Sequence, residues 1–166
     1  MLIAGTRARR AVATRRRIVQ AAYDLFCANG YLGTTISAVA DSANVGVPTI
    51  YYTFRTKAAL LGEALGAAIV GIDHWREPPL DRDMAELLTG HPWWIDFQAA
   101  PTSQDALRIF VDQGTTINQR VAPLIPAMRG STGDPDAVGF LELNEERRIE
   151  SSSKSSLARP PASAPS

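Results

Sequence analysis

Two short stretches of apolar residues, separated by the turn Asn44-Val45-Gly46, most restrict how this chain can fold. Before the turn, apolar residues recur at helical spacing over residues 36–43. After it, Ile50 and Phe54 are four apart and share one face of a helix. Asn44 tolerates the left-handed conformation, and Pro48 suits a first helical turn, where its missing N–H would have no partner. The pattern predicts two helices joined by a tight turn.

A longer helix is predicted before this pair. Its apolar stripe recurs at helical spacing and comprises Ile18, Ala22, Leu25 and Phe26. Gly30 can take a left-handed conformation and end that helix. Thr14 is its predicted N-cap. Residues 1–13 lack apolar periodicity and carry three arginines, so we expect a flexible basic arm there.

A helix pair of this kind reads DNA when its second helix presents small and polar side chains at its N-terminus. Three side chains there are short enough to enter a major groove: Val47, Pro48 and Thr49. Hydroxyls and a cation for phosphates come from Tyr51, Tyr52 and Lys57. The alternative is a helical hairpin in some other all-α domain, because short helix pairs are common.

The charge of the chain is divided between its two parts. Residues 1–60 hold eight basic against two acidic residues, whereas residues 61–166 hold nine against fifteen. This division is typical of a module that faces nucleic acid joined to one that faces something else. Chance surface composition would give the same numbers.

A series of short motifs at fixed spacings runs along residues 14–65. In order they are Ala21-Ala22, Leu25-Phe26, Gly30-Tyr31, Thr34-Thr35-Ile36, Val39-Ala40, Ala43-Asn44-Val45, Thr49-Ile50-Tyr51-Tyr52, Phe54, Lys57 and Leu60. This region resembles the N-terminal DNA-binding domain of the TetR (tetracycline-repressor-like) family of bacterial transcription regulators. The resemblance covers about a third of the chain and is more specific than a lone helix-turn-helix pattern.

The resemblance implies a role for each matching position. Thr35 would begin the second helix and contact a phosphate, and Thr56 would cap the fourth helix, where Lys57 would bind a phosphate. Val47, Pro48 and Thr49 would face the major groove, and Tyr51 and Tyr52 would contact the backbone or base edges. The chain departs from the family pattern at three positions, which are Asn44 (usually Gly), Gly46 (usually Ser or Thr) and Thr53 (usually His or Tyr).

The resemblance therefore implies an all-α chain in four parts. These are a flexible basic arm (1–13), a helix-turn-helix DNA-binding domain (14–74, the head), a helical ligand-sensing and dimerisation region (75–150) and a disordered tail (151–166). The first three helices of the head read DNA, and a fourth (57–71) links them to the sensing region. Further helices are predicted at residues 83–89, 104–121 (capped by Ser103) and 136–149.

The function that the resemblance implies is sequence-specific binding of a double-stranded DNA operator by a homodimer. The regulator would most often be a repressor, released by a small-molecule effector. Five aromatic residues are the candidate lining of the effector site: Trp75, Trp93, Trp94, Phe97 and Phe110. Ordinary core packing is the alternative for each of them, because pocket walls and cores have the same composition.

The C-terminal sequence bears on dimerisation. Residues 151–166 are rich in Ser, Pro and Ala and cannot bury an apolar face. Members of the family normally continue there with two helices that form the dimer interface. The sequence thus predicts a truncated or frameshifted chain with an incomplete sensing region. The corresponding alternative function is a shortened DNA-binding product without regulation.

Other functional classes have little support in the sequence. His74, Asp73 and Glu77 are the candidate metal ligands, but a metal site needs three or four ligands that converge on one point. A small helical metal-dependent enzyme is therefore a distant alternative. No motif for a cofactor is present. A single cysteine, no apolar run of membrane-spanning length and no signal peptide together predict a cytoplasmic protein without membrane contact.

Overall fold

A computed structural model describes residues 2–75 and 90–137 of the protein. In these two ranges the chain forms helices and no strands, which confirms the predicted all-α class. The helices are α1 (Leu2–Gly33), α2 (Ile36–Ala43), α3 (Val47–Phe54), α4 (Lys57–Val70), α5 (Pro92–Gln98), α6 (Ser103–Val121) and α7 (Ile125–Gly130), with a 3-10 turn (Ala122–Leu124) between α6 and α7.

The first helix is longer than the sequence predicts. It extends back to Leu2, so Thr14 lies inside the helix and not at its N-cap, and residues 2–13 are helical where a flexible arm was expected. The physical reason is composition, because alanine and arginine are strong helix formers even without an apolar stripe. At the other end the helical path breaks at Gly30, whose φ of 68° is positive as expected, but whose ψ of −177° is extended and not the predicted left-handed conformation.

The turn between α2 and α3 has the predicted geometry. Asn44 is left-handed (φ 51°, ψ 56°), and its backbone N–H donates to carbonyls of the last turn of α2. Gly46 is extended and precedes α3, with Pro48 in the first turn. A tight reversal of this kind brings α3 across α2 within three residues.

Threonine hydroxyls cap three of the helices. Thr35 caps α2 and Thr56 caps α4, each by accepting a backbone N–H bond of 3.1 Å, as the resemblance implied. The helix predicted over 104–121 is α6, but its cap is Thr102 and not Ser103. The Thr102 hydroxyl accepts from the N–H of Asp105, at 3.1 Å, because Ser103 already has helical geometry as the first residue of α6.

The core surrounds α1. Ile18, Ala22 and Phe26 of its predicted stripe are fully buried. The head helices α2 and α4 pack on α1, and so do α7 and the 3-10 turn, from which Leu124 and Ala127 enter the same buried cluster. The head and the described C-terminal part (90–137) therefore share one continuous core.

The long helix α6 contributes little to this core. It has no buried residue, and Leu107, Phe110 and Val111 are each more than half exposed. The predicted helix 83–89, most of the predicted helix 136–149 and the tail 151–166 lie outside the described residues. No helix of the described ranges is both long and apolar enough to cross a membrane.

The left-handed residue of the turn generates a prediction about stability. We expect Asn44→Ala to lower the free energy of unfolding by about 1 kcal/mol, because alanine is strained in this conformation. Asn44→Gly removes the same exposed side chain without that strain and should cost less. Urea unfolding followed by circular dichroism measures both, and equal losses would contradict this account.

Candidate nucleic-acid interface

The N-terminal half of α3 is presented outward. Pro48 and Thr49 are exposed and Val47 is half-buried. The opposite face is anchored because Ile50 and Phe54 are almost completely buried, at 1% and 4% exposure. The helix therefore shows short side chains to any outside partner while its apolar side holds it on the head.

Two tyrosines extend this surface. Tyr51 is 51% exposed and Tyr52 is 90% exposed, so both hydroxyls are available for hydrogen bonds with a partner. Thr35 is also exposed, at the start of α2. By contrast, Thr53 donates its hydroxyl to the carbonyl of Thr49, at 2.7 Å, and is occupied within its own helix.

Lys57, at the start of α4, is half-buried. Its ammonium lies over the ring of Tyr31, 4.3 Å from the centroid. Burial lowers its pKa, whereas the carboxylate of Asp134 raises it. The structure thus keeps this cation close to the molecular surface rather than extended into solvent.

Two further basic residues of the head lie at different places in the fold. Arg55 is exposed directly after α3 and has a positive φ of 65°; sequence reasoning missed it, although a base next to the predicted helix was the available signal. Arg16 in α1 donates to the carbonyl of Ile72, beyond the far end of α4. A helix of 14 residues is about 20 Å long, so the Arg16 guanidinium at Ile72 lies far from Lys57.

Comparison with known proteins identifies the N-terminal domain. Residues 18–64 match the family model described as "Bacterial regulatory proteins, tetR family", and this range includes every residue predicted to contact DNA. This part of the chain is therefore similar to the DNA-binding domain of TetR-family regulators. No curated protein matches it closely enough to count as a relative.

The matched domain supports a DNA-binding transcriptional regulator, and the N-terminal helices fit the helix-turn-helix head of the TetR family. The matched range runs from within α1 to within α4. The individual contacts predicted for Thr35, for α3 and for Lys57 stay predictions. What the structure adds is that these side chains reach the surface, apart from the half-buried Val47 and Lys57.

An ion pair between α1 and α4 lies beside the C-terminal end of α3. Arg15 of α1 contacts Glu63 of α4 at 3.0 Å, and both side chains are largely buried. The Arg15 guanidinium also lies 4.5 Å from the ring centroid of Phe54 and 5.7 Å from that of Trp75. Burial raises the pKa of Glu63 and Arg15 opposes that rise. No sequence pattern indicated this contact, because 47 residues separate the partners.

The other end of α4 is held by two side chains from the C-terminal part of the chain. Arg120 of α6 donates to the carbonyls of Ala68 and Ile69, at 2.7 and 3.0 Å. His91, the N-cap of α5, contacts the carbonyl of Val70 at 3.1 Å. These contacts satisfy carbonyls that a helix C-terminus leaves without partners. They join the C-terminal part to the helix that carries Lys57 at its other end.

The five aromatic residues predicted to line an effector site are not all together. Trp93, Trp94, Phe97 and Phe110 form a chain of ring contacts with centroid distances of 5.4 to 6.3 Å. Trp75 is instead buried in the core of the head beside Arg15. A groove of about 1080 Å³ is lined by α1 with Ile72 and Asp73, and none of the five aromatic residues lines this groove.

His74 was the sequence's candidate for a metal ligand. Its ring contacts that of His91 edge-on, with centroids 4.5 Å apart, and Glu77 lies outside the described residues. Within residues 2–75 and 90–137, no group of three or more ligating side chains comes together.

The Arg15–Glu63 pair predicts that one substitution has opposite effects on stability in two backgrounds. Arg15→Ala should lower the free energy of unfolding by about 3 kcal/mol, because it leaves Glu63 buried without its cation. Glu63→Gln should destabilise the natural chain but stabilise the Arg15→Ala variant, since the amide removes the uncompensated charge. Chemical denaturation of all four proteins measures this cycle, and additive effects would disprove the coupling.

Proposed function

We propose that this protein is a TetR-family repressor that binds an operator through α3 and releases it when a small molecule binds the C-terminal part. The observation that carries the proposal is the outward N-terminal face of α3, anchored from behind by Ile50 and Phe54, within the matched range. The domain division at residue 74 and the sensing role of residues 75–150 are parts of the same proposal.

In this proposal, α3 lies in the major groove. Val47, Pro48 and Thr49 face the bases, where short side chains allow close approach of the helix. Phosphates are contacted by Thr35, Tyr51, Tyr52 and Lys57, which fix the register of the head on the duplex. The exposure of the two tyrosine rings supports this arrangement.

The proposed release acts through α4. A ligand among the rings of α5 and α6 would displace those helices, and Arg120 and His91 connect them directly to the last carbonyls of α4. The candidate ligand contacts are Trp93, Trp94, Phe97 and Phe110, which lie on these two helices. The buried position of Trp75 favours a core role for that residue.

Two heads are required for this mode of recognition. Helices that read successive major grooves must be held roughly 34–36 Å apart, so a small displacement of α4 in each protomer releases the operator. We therefore propose a homodimer as the DNA-binding form. Light scattering on the purified protein tests this, and a monomer at micromolar concentration would count against two-headed binding.

The DNA-binding surface is tested by gel shift with DNA flanking the protein's own gene, at two salt concentrations. Lys57→Ala should weaken binding to operator and random DNA about equally and reduce the salt slope by about one unit. Thr49→Ala should weaken operator binding more than random binding. Thr116→Ala, an exposed threonine on α6, is the matched control and should have no effect. Equal losses for Thr49→Ala on both DNAs would assign Thr49 to a phosphate.

The link through α4 is tested by hydrogen exchange. Arg120→Met should raise exchange in the last turn of α4 and lower the free energy of unfolding by about 2 kcal/mol, because two charge-assisted hydrogen bonds are lost. Arg108→Met is the matched control on the same helix, since Arg108 only pairs with Asp105 at the surface. Similar exchange in the two variants would show that α6 does not hold α4 through Arg120.

A further inference from the structure

The cation that we assign to a phosphate rests on a ring that the C-terminal part holds in place. The Lys57 ammonium lies 4.3 Å from the ring centroid of Tyr31. Tyr31 is 2% exposed and belongs to the core around α1. Lys57 thus lies on a fixed aromatic face, which attracts a cation and restricts the rotamers of its long side chain.

The tyrosine ring is itself anchored from the other half of the molecule. The Tyr31 hydroxyl donates to the carboxylate of Asp134, at 2.5 Å, and Asp134 follows α7. A second oxygen of Asp134 accepts from the N–H of Asp136, at 3.0 Å, so the carboxylate is held on both sides. Gly130, the last residue of α7, passes close to the Tyr31 side chain, where an added Cβ would lie 3.6 Å from the tyrosine Cβ.

At neutral pH, Tyr31 and Asp134 both have the protonation state that their hydrogen bond requires. Burial and the bond to Asp134 raise the pKa of Tyr31, so its hydroxyl keeps the proton that it donates. The same bond lowers the pKa of Asp134, so the acceptor is ionised. The hydrogen bond therefore has one charged partner, which makes it stronger than a neutral one.

We propose that Tyr31 and Asp134 are positioning residues that hold Lys57 ready for its DNA phosphate, so that the segment after α7 sets the affinity of the DNA-binding surface. The proposal rests on the phosphate contact that the proposed function gives to Lys57. A lysine already restrained on the ring loses less side-chain entropy when it binds a phosphate. A displacement of Asp134 would weaken DNA binding even with α3 in place.

The positioning is tested on the protein alone by nuclear magnetic resonance. Reductive methylation with carbon-13 labels both lysines of the chain, Lys57 and Lys154, and Lys57→Arg assigns the signals. The Tyr31 ring should shift the Lys57 methyl signal from its position in the unfolded protein. Tyr31→Phe keeps the ring but removes its anchor, so this shift should decrease. Tyr23→Phe is the matched control, because it removes another hydroxyl of α1 that bonds the C-terminal part, at the carbonyl of Arg120.

The consequence for DNA is measured by fluorescence anisotropy with a random-sequence duplex of about 24 base pairs, long enough for two heads. Tyr31→Phe should weaken binding about threefold, the entropy of one restrained side chain. It should add nothing to the loss caused by Lys57→Ala. Tyr23→Phe should leave the affinity unchanged, and melting curves confirm that each variant is folded.

Asp134→Ala provides a second, independent variant. Positioning predicts the same smaller methyl shift and the same weaker DNA binding as Tyr31→Phe. Tighter DNA binding would show that Asp134 competes with phosphate for Lys57, and this would overturn the proposal, as would an unchanged methyl shift in Tyr31→Phe.

The methyl-shift and DNA-binding measurements together distinguish failure of this proposal from failure of the proposed function. If the methyl shift decreases but Lys57→Ala itself leaves DNA binding unchanged, the phosphate contact of Lys57 is refuted and the anchor exists without that use. If Lys57→Ala weakens binding and Tyr31→Phe does not, the phosphate contact stands and the positioning role is refuted.

Discussion

The burial of one face of α1 supports every other feature of the described structure. Ile18, Ala22 and Phe26 lie at the centre of a cluster to which α2, α3, α4 and the helices around Leu124 all contribute. Full burial of a large apolar side chain is worth about 1.5–3 kcal/mol, so Ile18 and Phe26 together contribute more than a typical hydrogen bond. Because Ile50 and Phe54 bury the inner face of α3 in this cluster, the orientation of α3 depends on the integrity of the cluster.

A largely buried ion pair adds to that apolar packing. Arg15 and Glu63 are largely removed from water, which costs free energy that only a close pair with good geometry offsets. The pair also fixes the relative positions of three helices. Its guanidinium lies near the rings of Phe54 and Trp75 and connects the end of α3 to α1 and α4. Arg55, by contrast, is an exposed cation that directly follows α3.

Local rules of the chain made the head predictable from the sequence. The left-handed Asn44, the cap at Thr35 and the position of Pro48 depend only on neighbouring residues, and the structure confirms them. The arm was mispredicted because amphipathic periodicity is a sign of burial, and a helix rich in alanine and arginine forms without it. The same limit applies to the cap of α6, where two adjacent hydroxyl residues compete and the sequence cannot rank them.

Contacts between distant residues were beyond sequence reasoning. The partners of Arg15, Arg120 and Tyr31 lie 48, 51 or 52, and 103 residues away, and nothing in a single sequence pairs them. The aromatic set shows the same limit, because Trp75 has the composition of a pocket wall and the position of a core residue. Whether a predicted DNA contact is made at all depends on a partner outside the chain, so exposure is as far as the fold can take it.

The contacts at both ends of α4 have a consequence for how the protein can be divided. Arg120 and His91 satisfy its last carbonyls, and Leu124 and Ala127 complete the cluster around α1. A fragment ending at residue 74 would retain the whole of the matched sequence yet lose all of these partners. Such a fragment would expose apolar surface that the intact chain covers.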